Sequence, residues 1–217
     1  MRTEWTRRIW ITAALAFACC DVMAPAGKPA LQNDGWSQSD FKVTSTTFPN
    51  DGTMPLSTIY TIIPANSTSN ACTANGAAGG NESPELSWTR APWGTRSFVV
   101  ILYDMTASFT HWGMYNIAPH EHKLPMNAGA PGSAYGKQIV NDFGNAQYDG
   151  PCPPANVAPN VHDYVFTVYA LDTELSLPGS TNFPANAETL YHALIEAGRK
   201  HQILASASWT GLYSATP

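Results

Sequence analysis

Two stretches of the chain are dense in β-branched and aromatic residues: Phe98-Val-Val-Ile-Leu-Tyr103 and Tyr164-Val-Phe-Thr-Val-Tyr169. Such side chains pack well on a pleated surface, so both segments are predicted as central strands, extending to Arg96–Asp104 and Asp163–Leu171. Phe41–Phe48 alternates Phe41 and Val43 with polar neighbours and predicts another strand. Further strands are expected at Ser57–Ile63, Glu85–Trp88 and His111–Ile117. One helical period is clear, at Ala187–Ala197. It places Leu190, Ala193, Leu194 and Ala197 on one face, with Asn186 as N-cap and Gly198 at its end. Residues 64–82, rich in Asn, Ser, Thr, Ala and Gly, predict a long loop that needs a function or a tether. Residues 118–161 form a second irregular stretch. A length of 217 residues favours one domain with a sizeable core, and neither a repeat nor an internal domain boundary is visible.

Three of these strands carry ionisable groups at a tip. Asp104 closes one; His111 opens His-Trp-Gly-Met-Tyr-Asn-Ile; His162 and Tyr164 open the third. Between the last two lies Tyr148-Asp-Gly-Pro-Cys-Pro-Pro154. Tips of neighbouring strands can converge on one small polar pocket in an apolar scaffold. The two histidines can donate hydrogen bonds or carry charge near neutral pH. The backbone N–H around Gly150, with no Cβ in the way, is expected to face a bound anion, while Pro151, Pro153 and Pro154 stiffen the loop. Phosphate, sulfate or carboxylate suits such a set. Asp104 either orients a histidine by accepting its second N–H or meets an ammonium on the ligand.

In this order the segments resemble the phosphatidylethanolamine-binding protein family, in its bacterial Raf-kinase-inhibitor-like branch. Asn81-Glu-Ser-Pro-Glu-Leu-Ser-Trp88, Ala91-Pro-Trp-Gly-Thr-Arg-Ser-Phe98 and the tail from His201 to Tyr213 carry the same resemblance, which covers roughly residues 41–213. It implies a mainly β fold: a large antiparallel sheet packed with a smaller sheet, plus a C-terminal helix. It also implies a pocket for a small anionic or phospholipid-headgroup ligand. Asp104, His111, Gly150, Pro151, Pro153, His162 and Tyr164 are its expected binding residues, and no cofactor is implied. Two departures stand out. Asp104-Met-Thr-Ala-Ser108 replaces the family's Asp-Pro-Asp-Ala-Pro, and Asp163 stands where Arg is usual.

The N-terminus reads as an export signal. Arg2, Arg7 and Arg8 precede the ten apolar-biased residues Ile9–Ala18, too few to span a bilayer as an ordinary helix. The expected organisation is a signal over residues 1–24, a linker over 25–40 and a domain over 41–217. Ala18-Cys19 offers an alternative lipoprotein signal, with Cys19 as the acylated residue and peripheral attachment to a membrane as its consequence. A periplasmic or envelope-anchored protein is the expectation. Cys72 and Cys152 are then the cysteines left to the domain, and an oxidising compartment favours a disulfide between them over two free thiols.

Charge narrows the functions further. Eleven basic against sixteen acidic residues give a net charge of −5, which excludes a basic nucleic-acid face as the organising feature. His120-Glu-His122 lacks a third ligand, so no metal is assigned. His and Asp make half of a catalytic triad, but no Gly-x-Ser-x-Gly elbow supplies a nucleophile, and binding is favoured over catalysis. A protein-interaction module, inhibiting a protease or kinase through the pocket rim, remains the alternative to ligand binding.

Overall fold

The structure, a computed structural model, describes residues 40–216. The expected export signal, Cys19 and the linker up to residue 39 lie outside the described residues. The strands are β1 (Lys42–Thr44), β2 (Gly52–Thr53), β3 (Leu86–Thr89), β4 (Ser97–Asp104), β5 (Phe109–Ile117), β6 (Lys123–Leu124), β7 (Lys137–Gln138), β8 (His162–Leu171) and β9 (Ile203–Tyr213). The helix α1 (Ala187–Arg199) precedes β9. Six strands form a large sheet in the order β2-β9-β8-β4-β5-β7, and three form a small one in the order β1-β3-β6. The ladders are antiparallel except for the short edge pair β2–β9.

β4 and β8 sit side by side at the centre, as their composition predicts. Nearly every residue of β4 is buried, because both faces of the large sheet are covered around it. On one face Phe98, Val100, Leu102, Trp112, Met114, Phe166 and Val168 pack with Val43, Leu86 and Trp88 of the small sheet. On the other, Val99, Ile101, Ile139 and Leu171 meet Leu190, Leu194 and Ala197 of α1. β8 alternates between these environments: His162, Tyr164, Phe166, Val168 and Ala170 turn toward the small-sheet side. The helix is capped as expected, with Asn186 Oδ1 accepting from Thr189 N at 3.1 Å. It runs one residue past Gly198.

Two expected strands differ. Ser57–Ile63 is not a strand: a 3-10 turn covers Leu56–Thr58, and the extended chain beyond it pairs with loops instead of a ladder. Tyr60 N donates to Pro151 O at 3.1 Å, Ile62 N to the side chain of Asn70 at 2.9 Å, and Ile59 O accepts from Asn81 N at 3.0 Å. The strand expected over Phe41–Phe48 ends at Thr44. Glu85 draws the next residues out of the ladder by accepting from Thr46 N at 2.7 Å and, through its carbonyl, from Ser45 Oγ at 2.6 Å.

The helix interface gives a direct check of this architecture. Leu190 is 1% exposed. Truncation to alanine removes contacts to Ile139 and leaves a cavity, which costs about 3 kcal/mol and lowers Tm by roughly 6–12 °C in a domain of this size. Thermal unfolding of Leu190→Ala followed by circular dichroism tests it; a shift within 2 °C would contradict the packing.

Candidate functional site

β4, β5 and β8 bring their polar tips to the same end of the large sheet, on the small-sheet side. Asp104 pairs in register with Tyr164 across β4–β8 and with Phe109 across β4–β5. Residues two positions along the same face, His162 and His111, therefore flank it. They enclose a cavity of about 200 Å³ whose lining includes Asp104, Phe109, His111, Phe143, Pro153 and His162. Larger surface grooves lie elsewhere: one of about 610 Å³ beside α1, one of about 350 Å³ over Tyr103, Tyr169 and Tyr191. The small cavity is nevertheless where buried ionisable side chains converge.

Asp104, only 2% exposed, is held at both oxygens. Oδ1 accepts from Thr106 N and Ala107 N, each at 2.9 Å, and so closes the β4–β5 turn. Oδ2 lies 2.7 Å from His162 Nδ1, which donates to it. Of the two roles open to Asp104, orienting a histidine is the one its geometry supports. His111 Nδ1 lies 2.8 Å from Asp149 O and 3.1 Å from Gly150 O. Carbonyls only accept, so Nδ1 carries the proton and Nε2 is left for the cavity. Burial is the main cause that lowers the His111 pKa below the ordinary histidine value, against smaller upward pulls from the Asp149 and Gly150 carbonyls and the Asp104 and Asp149 carboxylates. Phe109 and Phe143 pack edge-on against its ring, with centroids 5.0 and 5.4 Å away.

Tyr164 lies beneath the cavity rather than on its wall. Its ring contacts both imidazoles, at 5.2 Å from His111 and 6.2 Å from His162. Its hydroxyl is buried near Asp104 and the Cys152 backbone, yet aligned with neither as a hydrogen bond. Burial first, then the Asp104 charge, raises the phenol pKa well above its ordinary range, so Tyr164 stays neutral.

The Gly-Pro loop plays a different part from the expected one. Gly150 N does not face the cavity; it donates to Asn81 Oδ1 at 2.8 Å. Gly150 and Pro151 are buried under the site, and Pro153 with the exposed Pro154 forms the rim. Glycine is required at 150 because a Cβ there would sit 1.9 Å from the Thr58 carbonyl oxygen. Cys152 lines the cavity and forms a disulfide with Cys72, 80 residues away in sequence. The long 64–82 loop is thus tethered beside the site, as its length demands.

Sequence reasoning missed the support beneath this loop. Asp149, fully buried, accepts from Gln147 Nε2 at 2.7 Å, Asn145 Nδ2 at 2.8 Å, Asn141 Nδ2 at 2.9 Å and Asn81 Nδ2 at 3.2 Å. The available signal was the run of amide side chains between Asn141 and Gln147. Phe143 was also missed; nothing in an irregular stretch marks one aromatic as a cavity wall.

Two predictions follow from this geometry. Replacing both Cys72 and Cys152 by serine frees a closed loop of about 80 residues, and the chain-entropy cost reaches about 4.5 kcal/mol. Urea unfolding should register most of it; a loss under 1 kcal/mol would mean that the loop's hydrogen bonds alone hold it. The second concerns acid. Because the folded-state pKa of His111 is lowered, the unfolded chain takes up its proton first as pH falls below about 6.5. The stability contributed by neutral His111 is complete above that pH and is lost as pH falls toward the folded value. Urea midpoints measured from pH 7.5 to 4.5 should fall less steeply for His111→Gln, and parallel curves would show that His111 is not held neutral.

Comparison with known proteins places this arrangement. The sequence profile of the phosphatidylethanolamine-binding protein family matches residues 44–214. YbcL of Escherichia coli K12, named a UPF0098 protein, is 39% identical over 126 residues, which span 53% of this chain and 66% of YbcL's own length. The crystal structure of E. coli YbcL, described as a new member of the mammalian PEBP family, matches with a TM-score of 0.63 at 30% identity. That match covers 81% of this chain and 98% of YbcL's chain. LppC of Mycobacterium tuberculosis, named as a candidate lipoprotein, is 34% identical over 111 residues, 49% of this chain and 52% of its own length. With the profile running through strands of both sheets and every residue of the cavity, the chain belongs to the phosphatidylethanolamine-binding protein family.

Proposed function

We propose that the protein binds a small oxyanion or a phospholipid headgroup in the cavity between His111 and His162. One observation carries this reading. Both imidazoles commit Nδ1 to acceptors of the protein and are left with Nε2 toward the same 200 Å³ space. Rings held in this way are prepared to exchange hydrogen bonds with a ligand without further ordering cost. Asp104 supports the binding by holding His162 Nδ1 and so fixing the ring that borders the cavity. The volume suits a headgroup, and the open rim at Pro153 and Pro154 leaves room for the remainder of a lipid outside. Envelope location belongs to the same proposal. The Cys72–Cys152 disulfide, the export pattern of residues 1–24 and the similarity to LppC support it. Acylation at Cys19 would hold the domain at a membrane surface, beside its ligand.

Calorimetric titration of the folded protein with phosphoethanolamine at pH 6 tests the binding site. Saturable binding is expected, and Asp104→Ala and His162→Gln should each weaken it at least tenfold, about 1.4 kcal/mol. Binding of the same strength in both variants would place the ligand elsewhere, and no binding to the unaltered protein would reject the reading.

A further inference from the structure

The face of the large sheet turned toward α1 carries a separate groove of about 350 Å³. Strand register sets its walls. Tyr103 pairs with Val165, Ile101 with Thr167 and Val99 with Tyr169. Tyr103 and Tyr169 therefore stand at the two ends of a short floor made by Ile101, Val165 and Thr167. From α1, Tyr191 meets Tyr103 edge to face, with ring centroids 6.1 Å apart and planes at 82°. All three rings are half-buried, and Met105, 59% exposed, lies at the Tyr103 end. Thr110 Oγ1 lies 3.4 Å from the Tyr191 hydroxyl. Burial is the main cause that pushes the Tyr191 phenol up to about 12; Tyr103, Tyr169 and Asp142 add to the rise, and the Thr110 contact opposes it. The ring is therefore neutral near pH ~7.

The charge around this groove is negative. No Lys or Arg lines it among the described residues, and His192 and Lys200 line the separate 610 Å³ groove. Asp142 is exposed, accepts from Thr110 N at 2.7 Å and acts on the Tyr191 phenol. β8 adds Asp163, also exposed, whose side chain shares a face with Val165 two residues on. Arginine is the residue that the resemblance leads one to expect there, so the departure puts an anion beside the groove in place of a cation. The lining is poor in free acceptors, because Thr167 Oγ1 is already paired with Ser208 Oγ at 2.9 Å. A primary ammonium entering it would lose water without replacement. Among the described residues no cluster of three His, Cys, Asp or Glu could hold a metal ion. An alkylated ammonium has little hydration to lose, its methyl groups suit Ile101, Val165 and Met105, and its diffuse charge is attracted by aromatic rings.

We infer that this groove is a binding site for an alkylated ammonium of the trimethylammonium class, held among the rings of Tyr103, Tyr169 and Tyr191 and attracted by Asp142 and Asp163. The site stands apart from the cavity between His111 and His162, which lies on the small-sheet side, and it does not depend on what binds there. Two sources share the chemistry: a free solute such as choline or betaine, and the headgroup of a choline lipid. Selectivity comes from two opposed demands. The uncharged, acceptor-poor lining rejects well-hydrated cations, and the rings and nearby carboxylates favour a cation over a neutral group of the same shape.

Titration of the folded protein with tetramethylammonium and with choline, followed through the tyrosine ring signals by NMR at low ionic strength, locates the site and gives its affinity. Saturable millimolar binding is expected, with the Tyr103, Tyr169 and Tyr191 signals shifting together. The neutral carbon isostere of choline, with tert-butyl in place of trimethylammonium, should bind at least fivefold more weakly. Tyr169→Phe keeps the ring and should stay within twofold of the unaltered protein, whereas Tyr169→Leu should lose at least fivefold. Asp163→Arg should weaken choline threefold or more and leave the isostere unchanged. Competition by phosphatidylcholine vesicles would identify a lipid headgroup as the occupant, and its absence a free solute. Equal binding of choline and its isostere would overturn the inference, as would equal loss in Tyr169→Phe and Tyr169→Leu. No saturable shift with either cation, or shifts confined to other tyrosines, would overturn it as well. Should Tyr169→Leu not fold, the isostere comparison in the unaltered protein and the surface change Asp163→Arg decide.

Discussion

A buried carboxylate, Asp149, with no ion-pair partner among the described residues holds the site together. Desolvating an isolated Asp149 would cost several kcal/mol, and the compensation comes from four side-chain amides, at about 1.5–3 kcal/mol for each hydrogen bond to a charged group. Those amides belong to two separate loops. Asn141, Asn145 and Gln147 lie just before Asp149, whereas Asn81 reaches in from the loop that precedes β3. Satisfying one charge therefore fastens both loops together. Asn81 adopts a left-handed backbone, φ 52°, to do this, a conformation asparagine tolerates better than most residues. Asn141 extends the latch to β5, donating also to His111 O at 3.0 Å, and Asp149 N reaches the same carbonyl at 3.2 Å.

The consequence for chemistry lies at His111. With Asp149 fixed, its carbonyl and that of Gly150 are fixed, and the proton on His111 has one place to be. Tyr148 and the disulfide secure the same segment from below and beside. Tyr148 Oη donates to Thr58 O at 2.9 Å, the carbonyl that also forbids a side chain at Gly150, and Cys152 ties the next residues to Cys72. The loop thus acts as a rigid template for one imidazole, while Asp104 plays that part for the other. Both rings are oriented by the protein itself. α1 covers the opposite face of the large sheet, so the packing that stabilises the domain there is separate from the groups that face the cavity.

The central strands were legible in the sequence because their side chains are buried on both faces, and burial writes β-branched and aromatic residues into consecutive positions. The helix was legible through its apolar face and its Asn186 cap. Ser57–Ile63 misled because its composition is that of a strand, whereas its backbone partners are loop atoms from Pro151, Asn70 and Asn81 that no local pattern reveals. The same limit divides the candidate site. Asp104, His111, His162 and Tyr164 could be picked out because each stands at a recognisable strand tip, and their proximity follows from strand order. The direction of the Gly150 N–H could not be read, since it depends on Asn81, almost seventy residues earlier. Asp149 could not be singled out, because its solvation by four amides exists only once both loops are folded.

The altered turn after Asp104 shows why sequence departures and geometric departures need separate arguments. Asp-Met-Thr-Ala-Ser lacks two prolines and an acid that the resemblance led one to expect, which suggests a looser turn. Yet the turn is closed by backbone N–H groups at Thr106 and Ala107, which most residues at those positions supply. It is further docked onto β8: Met105 N donates to Asp163 O at 2.9 Å, and Thr106 Oγ1 accepts from Asp163 N at 3.1 Å. Asp163 is thereby engaged through its backbone, on the side of β8 away from the cavity, so an Asp in place of Arg leaves the hydrogen bonds of His162 and Asp104 intact. What the substitution at 106 does change is charge. Threonine for an acid removes one carboxylate from the turn that Asp104 closes, and its hydroxyl is engaged by Asp163 N rather than lining the cavity.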